Sequence, residues 1–204
     1  MPDTDCGKKS VQLIDDFISK YHDITLECYT PLYISELKIG KKLEYNDIIF
    51  NPIQITENHN DNSIVKLFRQ GRFTVLSLGD CENPDIANRI MQSQIASTEV
   101  DVLILAHHGA DNGFTTKEFI DKIAPKVAIC SSNYDNKFDH PRQEIRDILY
   151  EADVPLFTTK TGDVIINCQN GTIATVSNYI GNNEILSSKM TFTTKLDVDA
   201  GSID

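Results

Sequence analysis

Cysteine is scarce in this chain and never closely paired. The five residues, Cys6, Cys28, Cys81, Cys130 and Cys168, are odd in number and far apart, and none has CxxC spacing. Neither a zinc ribbon nor a disulfide framework is signalled, and free thiols suit a reducing compartment. Cys130 and Cys168 stand in apolar, strand-like surroundings and read as small buried hydrophobes rather than ligands. Long apolar runs are also missing, since none approaches the roughly 20 residues of a membrane helix. The polar, acidic start Met1-Pro2-Asp3-Thr4 lacks the pattern of a secretory signal. A cytoplasmic protein with no membrane partner is expected. Basic residues are few, with Lys+Arg 19 against Asp+Glu 30 and a formal net charge of −11. Such a surface repels a phosphate backbone and disfavours a general nucleic-acid binder. It leaves room for a metal site that neutralises one phosphate locally. There is no internal repeat and no low-complexity tract.

What is present fits a soluble globular chain: 204 residues, 40% apolar and 24% charged, enough for one domain with added segments. Ser10 to Tyr21 reads as an amphipathic helix capped by Ser10. Residues 24–55 read as broken strands, with Asp47 to Phe50 one of them. Ser63 to Arg69 and Phe73 to Leu78 read as strands joined in a hairpin through Gln70-Gly71, the second running into Gly79-Asp80. Asp85 to Ser97 has helical spacing, with Pro84 near its start. Asp101 to Ala106 is a continuous apolar run typical of a strand buried on both faces, and it ends in His107-His108-Gly109. Thr116 to Ile123 reads as a helix and Lys126 to Ser131 as a second buried strand. A polar loop, Ser132 to Asp139, leads to His140-Pro141 and a helix ending near Glu151. Strands follow at Pro155 to Thr158, Asp163 to Asn167 and Thr172 to Asn178. Strand-helix alternation from Phe73 to Thr158 predicts an α/β layered sheet. Gly181 to Asp204 is polar with weak periodicity and predicts a loosely held tail or partner-binding extension.

Asp80, the 107/108 pair and His140 all fall at strand ends or in the loop after one. Ligands of open α/β sheets bind at the carboxyl ends of strands, so these residues project toward one rim. Imidazole nitrogens and carboxylate oxygens suit zinc, and manganese or iron less selectively. Each residue also has a plain structural reading. Asp80 after Gly79 suits a turn or a cap. The histidine pair suits satisfied structural residues, and alternation along a strand would aim the two rings to opposite sides. His140 before Pro141 suits the start of a helix.

In order along the chain stand Asn60-Asp61-Asn62-Ser63, Leu78-Gly79-Asp80, Ala106-His107-His108-Gly109 and Asp139-His140-Pro141. This string resembles the second half of the metallo-β-lactamase-like domain of the competence protein ComEC and its soluble relatives, which read NDNS, TGD, HHGS and GHP. The likeness spans about Asn60 to Ile166, half of the chain, and the ordered combination is far more specific than any single tetrapeptide. It implies an α/β fold of metallo-β-lactamase type, an αββα sandwich present mainly as its second ββα half. Residues 1–58 would be a remnant of the first half, 59–180 the second half and 181–204 an acidic tail. Asp80 would be the carboxylate shared by two metal ions, zinc or manganese, with His108 a ligand. His107 would contact the scissile group, and His140 would polarise substrate or support the ligands at the pocket edge. Asn60, Asp61 and Ser63 would shape the site, with Asp61 or His59 a candidate further ligand.

The departures carry equal weight. The HxHxDH stretch that supplies most ligands in this family has no counterpart, because no two histidines here are separated by a single residue. His22 stands alone. The hydroxyl residue after HHG is Ala110, and the Gly before HP is Asp139. The resemblance therefore implies a metal-dependent hydrolase of a phosphodiester or related ester, possible nucleic acid included, that attacks through metal-activated hydroxide. Its missing ligands would come from a longer chain or a partner protein. The alternative is an inactive scaffold or interaction subunit of the same fold. A β-lactam or thioester hydrolase fits the HHG and HP signatures less well.

Overall fold

The computed structural model describes residues 48–50, 57–70, 72–169, 171–180 and 184–195, all within the unit Lys41–Asp204. The helix expected at Ser10 to Tyr21, most of the first-half remnant, His22, Cys6 and Cys28 lie outside them.

Among the described residues, nine strands form two sheets. The first has six strands in the order β1 (Ile48–Phe50), β2 (Val65–Gln70), β3 (Phe73–Ser77), β4 (Val102–Ile104), β5 (Val127–Cys130) and β6 (Leu156–Thr158). β1, β2 and β3 pair antiparallel, with Gln70 opposite Phe73 at the turn. β3 to β6 run parallel. The second sheet is antiparallel: β7 (Asp163–Gln169), β8 (Ile173–Ile180) and β9 (Glu184–Thr193). Four helices connect the parallel strands: α1 (Pro84–Gln92), α2 (Gln94–Glu99), α3 (Lys117–Ile123) and α4 (Gln143–Glu151). The class is α/β with a mixed sheet.

Register explains the layering. Leu76, Leu103, Ala128 and Leu156 are aligned neighbours across β3–β6. They face a core shared with Ile86, Ile90, Phe119, Ile120, Ile145 and Leu149 from the helices. Val75, Val102 and Val127 are aligned one residue earlier and face the opposite way. They pack with Phe157 on Ala174, Val176 and Phe192 of the second sheet. Strand side chains alternate between faces, so a sheet buried on both sides needs apolar residues at every position. This is why β4 and β5 read as unbroken hydrophobic runs. Burying each large aliphatic or aromatic side chain contributes about 1.5–3 kcal/mol.

Two expectations are corrected. The single helix expected over Asp85 to Ser97 is two. Ser93 takes extended backbone (φ −72°, ψ 118°), ends α1 through its N–H to Arg89 and Ile90 carbonyls, and accepts from Ala96 N to start α2. The loosely held tail expected from Gly181 is in part a ten-residue strand, β9. Beyond it, Lys195 N donates to Asp101 Oδ1 at 2.7 Å. Asp101 Oδ2 accepts from Thr74 N at 2.9 Å and Thr74 Oγ1 at 3.3 Å, so one buried carboxylate ties β3, β4 and the end of β9 together.

Candidate functional site

Three strand ends build the site. β3 passes through buried Leu78 to Gly79 (φ 57°) and Asp80. β4 continues its pairing through Leu105 N to Ile129 O at 2.9 Å and then turns tightly over Ala106–Gly109. β5 leads to Ser131 and the loop that ends at His140-Pro141. His107 and His108 are not strand residues. Both adopt left-handed backbone (φ 43° and 57°), followed by Gly109 at 78°. Side-chain alternation therefore stops at Leu105, and the two rings stay close, with centroids 6.1 Å apart. The His140 ring lies 5.9 Å from that of His107 and 6.4 Å from that of His108.

Backbone contacts lock the three loops. His107 N donates to Gly79 O at 2.8 Å and Arg142 N to Gly109 O at 2.9 Å. The Cys130 thiol donates to His108 O at 3.0 Å. A Cβ on Gly109 would fall 2.7 Å from Pro141 Cβ, so only glycine permits this approach. Asn136 Oδ1 accepts from His140 N at 2.6 Å, while its amide donates to His140 O at 3.0 Å. Asp139 also takes positive φ, 57°. Phe138 stacks on the His140 ring at 5.7 Å.

Each imidazole has its own electrostatic setting. His108 Nδ1 is hydrogen-bonded to Ser131 O, and its Nε2 faces Asp80 Oδ1 at 3.6 Å. These two side chains are 47% and 50% exposed, so the gap between them is open to solutes. His107 Nδ1 meets Glu82 Oε1 at 2.5 Å. Burial raises the Glu82 carboxyl, but hydrogen bonds from His107, Asn58 and Asn60 outweigh it and leave the group below its ordinary value. His140 is pushed below the ordinary histidine value by burial first, then by the charges of His107, His108 and Arg142, against an opposing pull from Asp139. Its Nδ1 is buried without a hydrogen-bond partner. Burial also pushes the Cys81 thiol up to about 11, against a hydrogen bond from Asn83 and with help from the Asp61 and Glu82 charges.

The remaining residues singled out from sequence lie on the loop before β2. Asn60 points its amide at Glu82 Oε1, at 3.3 Å. Asp61 is half-buried near Cys81. Ser63 N donates to Asn60 O at 3.0 Å, and Ser63 Cβ lies 3.6 Å from where a Gly79 Cβ would stand. His59 is exposed, and its carbonyl accepts from Asn62 N at 3.2 Å. Among the described residues, no group of three or more His, Cys, Asp or Glu side chains is placed to hold a metal ion. No described helix is long and apolar enough to cross a membrane.

Over 144 residues the chain is 28% identical to ComE operon protein 3 of Bacillus subtilis (strain 168). That match takes in 69% of this chain and 17% of the relative, so the chain spans only a small part of the protein it resembles. The similarity is consistent with a ComEC-like relationship. No family model matches the chain.

Sequence reading missed Glu82, Asn58, Ser131 and Asn136. Glu82 stands two residues after Asp80 with buried Cys81 between them, and a carboxylate repeated at that spacing in a loop was the available signal. Ser131 acts through its carbonyl, which carries no side-chain signature at all.

Proposed function

We propose that this chain is the second half of a metallo-β-lactamase-fold, metal-dependent hydrolase of phosphodiesters or related esters, whose remaining ligands come from a longer chain or a partner. The facing of Asp80 Oδ1 and His108 Nε2 at 3.6 Å carries the reading. A backbone carbonyl can only accept, so Ser131 O requires the proton on His108 Nδ1. In the neutral ring Nε2 is then a bare lone pair turned toward a carboxylate oxygen. Two acceptors facing each other call for a donor or a cation between them, and a metal ion is the occupant this reading assigns. The spacing exceeds a hydrogen bond. It is close to the roughly 3.3–3.5 Å that separates two ligand atoms each about 2.0–2.1 Å from one zinc ion.

Zinc or manganese held there would polarise the scissile P–O bond and lower the pKa of water. Asp80 and His108 would hold the ion, and the donors they lack are those that HxHxDH supplies in the family. His107 would meet the transferred group from one side. His140, made less basic by burial, would border the pocket opposite. The similarity to ComE operon protein 3 and the convergence of three imidazoles at the strand ends support this reading.

Zinc and manganese titrations of the full chain, followed calorimetrically and by elemental analysis, test it. Asp80→Ala and His108→Ala should each weaken binding by more than the roughly 10–100-fold typical of residues that only support ligands. A chain that takes up neither metal, both alone and together with the polypeptide that supplies the HxHxDH stretch, or an Asp80→Ala variant with unchanged affinity, overturns the reading. An inactive scaffold of the same fold is then favoured.

A further inference from the structure

Two carboxylates flank buried Cys81, and two imidazoles stand side by side across from them. Asp80 faces His108 and Glu82 faces His107, so the pairs form one to one. The role of Asp80 belongs to the reading above, whereas Glu82 has none yet. Its carboxylate is held from behind by Asn58 Nδ2 at Oε2 (3.4 Å) and Asn60 Nδ2 at Oε1 (3.3 Å). Asn60 N in turn donates to Asn58 Oδ1 at 3.0 Å. His107 is bound to the same segment twice, through its ring to Glu82 and through its N–H to Gly79 O. We propose that Glu82 is a positioning residue that fixes the ring of His107 with the proton on Nδ1, leaving Nε2 as a lone pair toward the cleft shared with His108 and His140.

The inference rests on the hydrolase reading, because a fixed imidazole matters to the substrate only if the cleft is a reaction site. An ionised carboxylate has no proton to give, so the hydrogen of the 2.5 Å contact belongs to His107 Nδ1. The partner of one ring nitrogen decides which tautomer the other presents. His107 would then accept a proton or hydrogen bond from the substrate side, where an unanchored ring could offer either face. Asn58 and Asn60 acquire a purpose in the same step. Both amides donate to Glu82, so the loop before β2 holds the carboxylate while the carboxylate holds the imidazole.

The tautomer is read directly by long-range proton–nitrogen correlation spectra of the full, metal-free chain labelled with 15N-histidine. Spectra are taken about two units above the ordinary histidine value of about 6.5, with His107 assigned by its loss in His107→Gln. The wild-type chain should show a protonated Nδ1 and a bare Nε2. Glu82→Gln should keep that pattern, since its side-chain carbonyl still accepts, and Glu82→Leu should move His107 toward the Nε2–H form. A wild-type His107 carrying its proton on Nε2 overturns the proposal, and so does a Glu82→Leu variant with the wild-type pattern. If Glu82→Leu does not fold, the wild-type spectrum alone decides. Zinc titration of the same sample is a separate axis. Loss of the tautomer pattern with zinc binding intact removes the positioning role alone, whereas absence of zinc binding both in the chain alone and with the polypeptide that supplies the HxHxDH stretch removes the hydrolase reading.

Discussion

Gly109 shows how little freedom individual residues have in these loops. Its φ of 78° already disfavours a side chain, and an added Cβ would meet Pro141 Cβ at 2.7 Å. Gly113 is a natural control, with φ 81° and nothing within 4 Å of the added atom. Gly113→Ala should therefore lower stability by about 1–2 kcal/mol, the conformational penalty alone. Gly109→Ala should lose about 2–4 kcal/mol, because overpacking adds to that penalty. Denaturant midpoints of the two variants settle it, and equal losses would show that the 109–141 approach is slack. Gly109 was visible in the sequence directly after the histidine pair. The left-handed turns at His107 and His108 were not, since positive φ is uncommon at any residue other than glycine. The Glu82–His107 contact was equally hidden, because it exists only once β3 and β4 lie side by side.

Among the elements, the parallel strands were the most legible part of the fold. β4 and β5 are hydrophobic at every position because they are covered on both faces, and that pattern survives in the bare sequence. The break between α1 and α2 was less so. Ile86, Ile90 and Met91 keep helical spacing up to Ser93, and the serine that interrupts them is also an acceptable residue within a helix. β9 was missed because its polar composition suggested a tail, although Met190 and Phe192 alternate with Thr191 and Thr193. The Asp101 carboxylate gives this strand an anchor. Both of its oxygens accept N–H groups, from Thr74 on one side and Lys195 on the other. Asparagine can replace only one of them, and its NH2 would face a donor. Asp101→Asn should lower stability by about 1–3 kcal/mol, measured by urea unfolding. A variant as stable as wild type would mean that the two strands do not depend on this bridge.

At the scale of the whole described unit, the three layers share their stabilising contacts. Phe192 and Met190 pack with Val102, Val127 and Phe157, so the second sheet covers the face of the first that the helices do not. Ending the chain after Ile180 would strip that cover and release Asp101 from Lys195. Such a chain should lose its cooperative thermal transition and bind a hydrophobic dye, as apolar surface normally kept from water becomes accessible. A truncated chain that melts at the wild-type temperature would show that β9 is dispensable.

In the six-stranded sheet the spatial order of strands is their order along the chain. Crossovers of one hand then place the four connecting helices on the same side, and the sheet has no point where the winding reverses to open a ready-made crevice. The shaping of the site is left to the connecting segments. Gly79, His107, His108, Gly109 and Asp139 all carry positive φ, so the reactive side chains are aimed by contorted main chain in three separate connections. Substitutions there will re-aim them even where no reactive atom is removed.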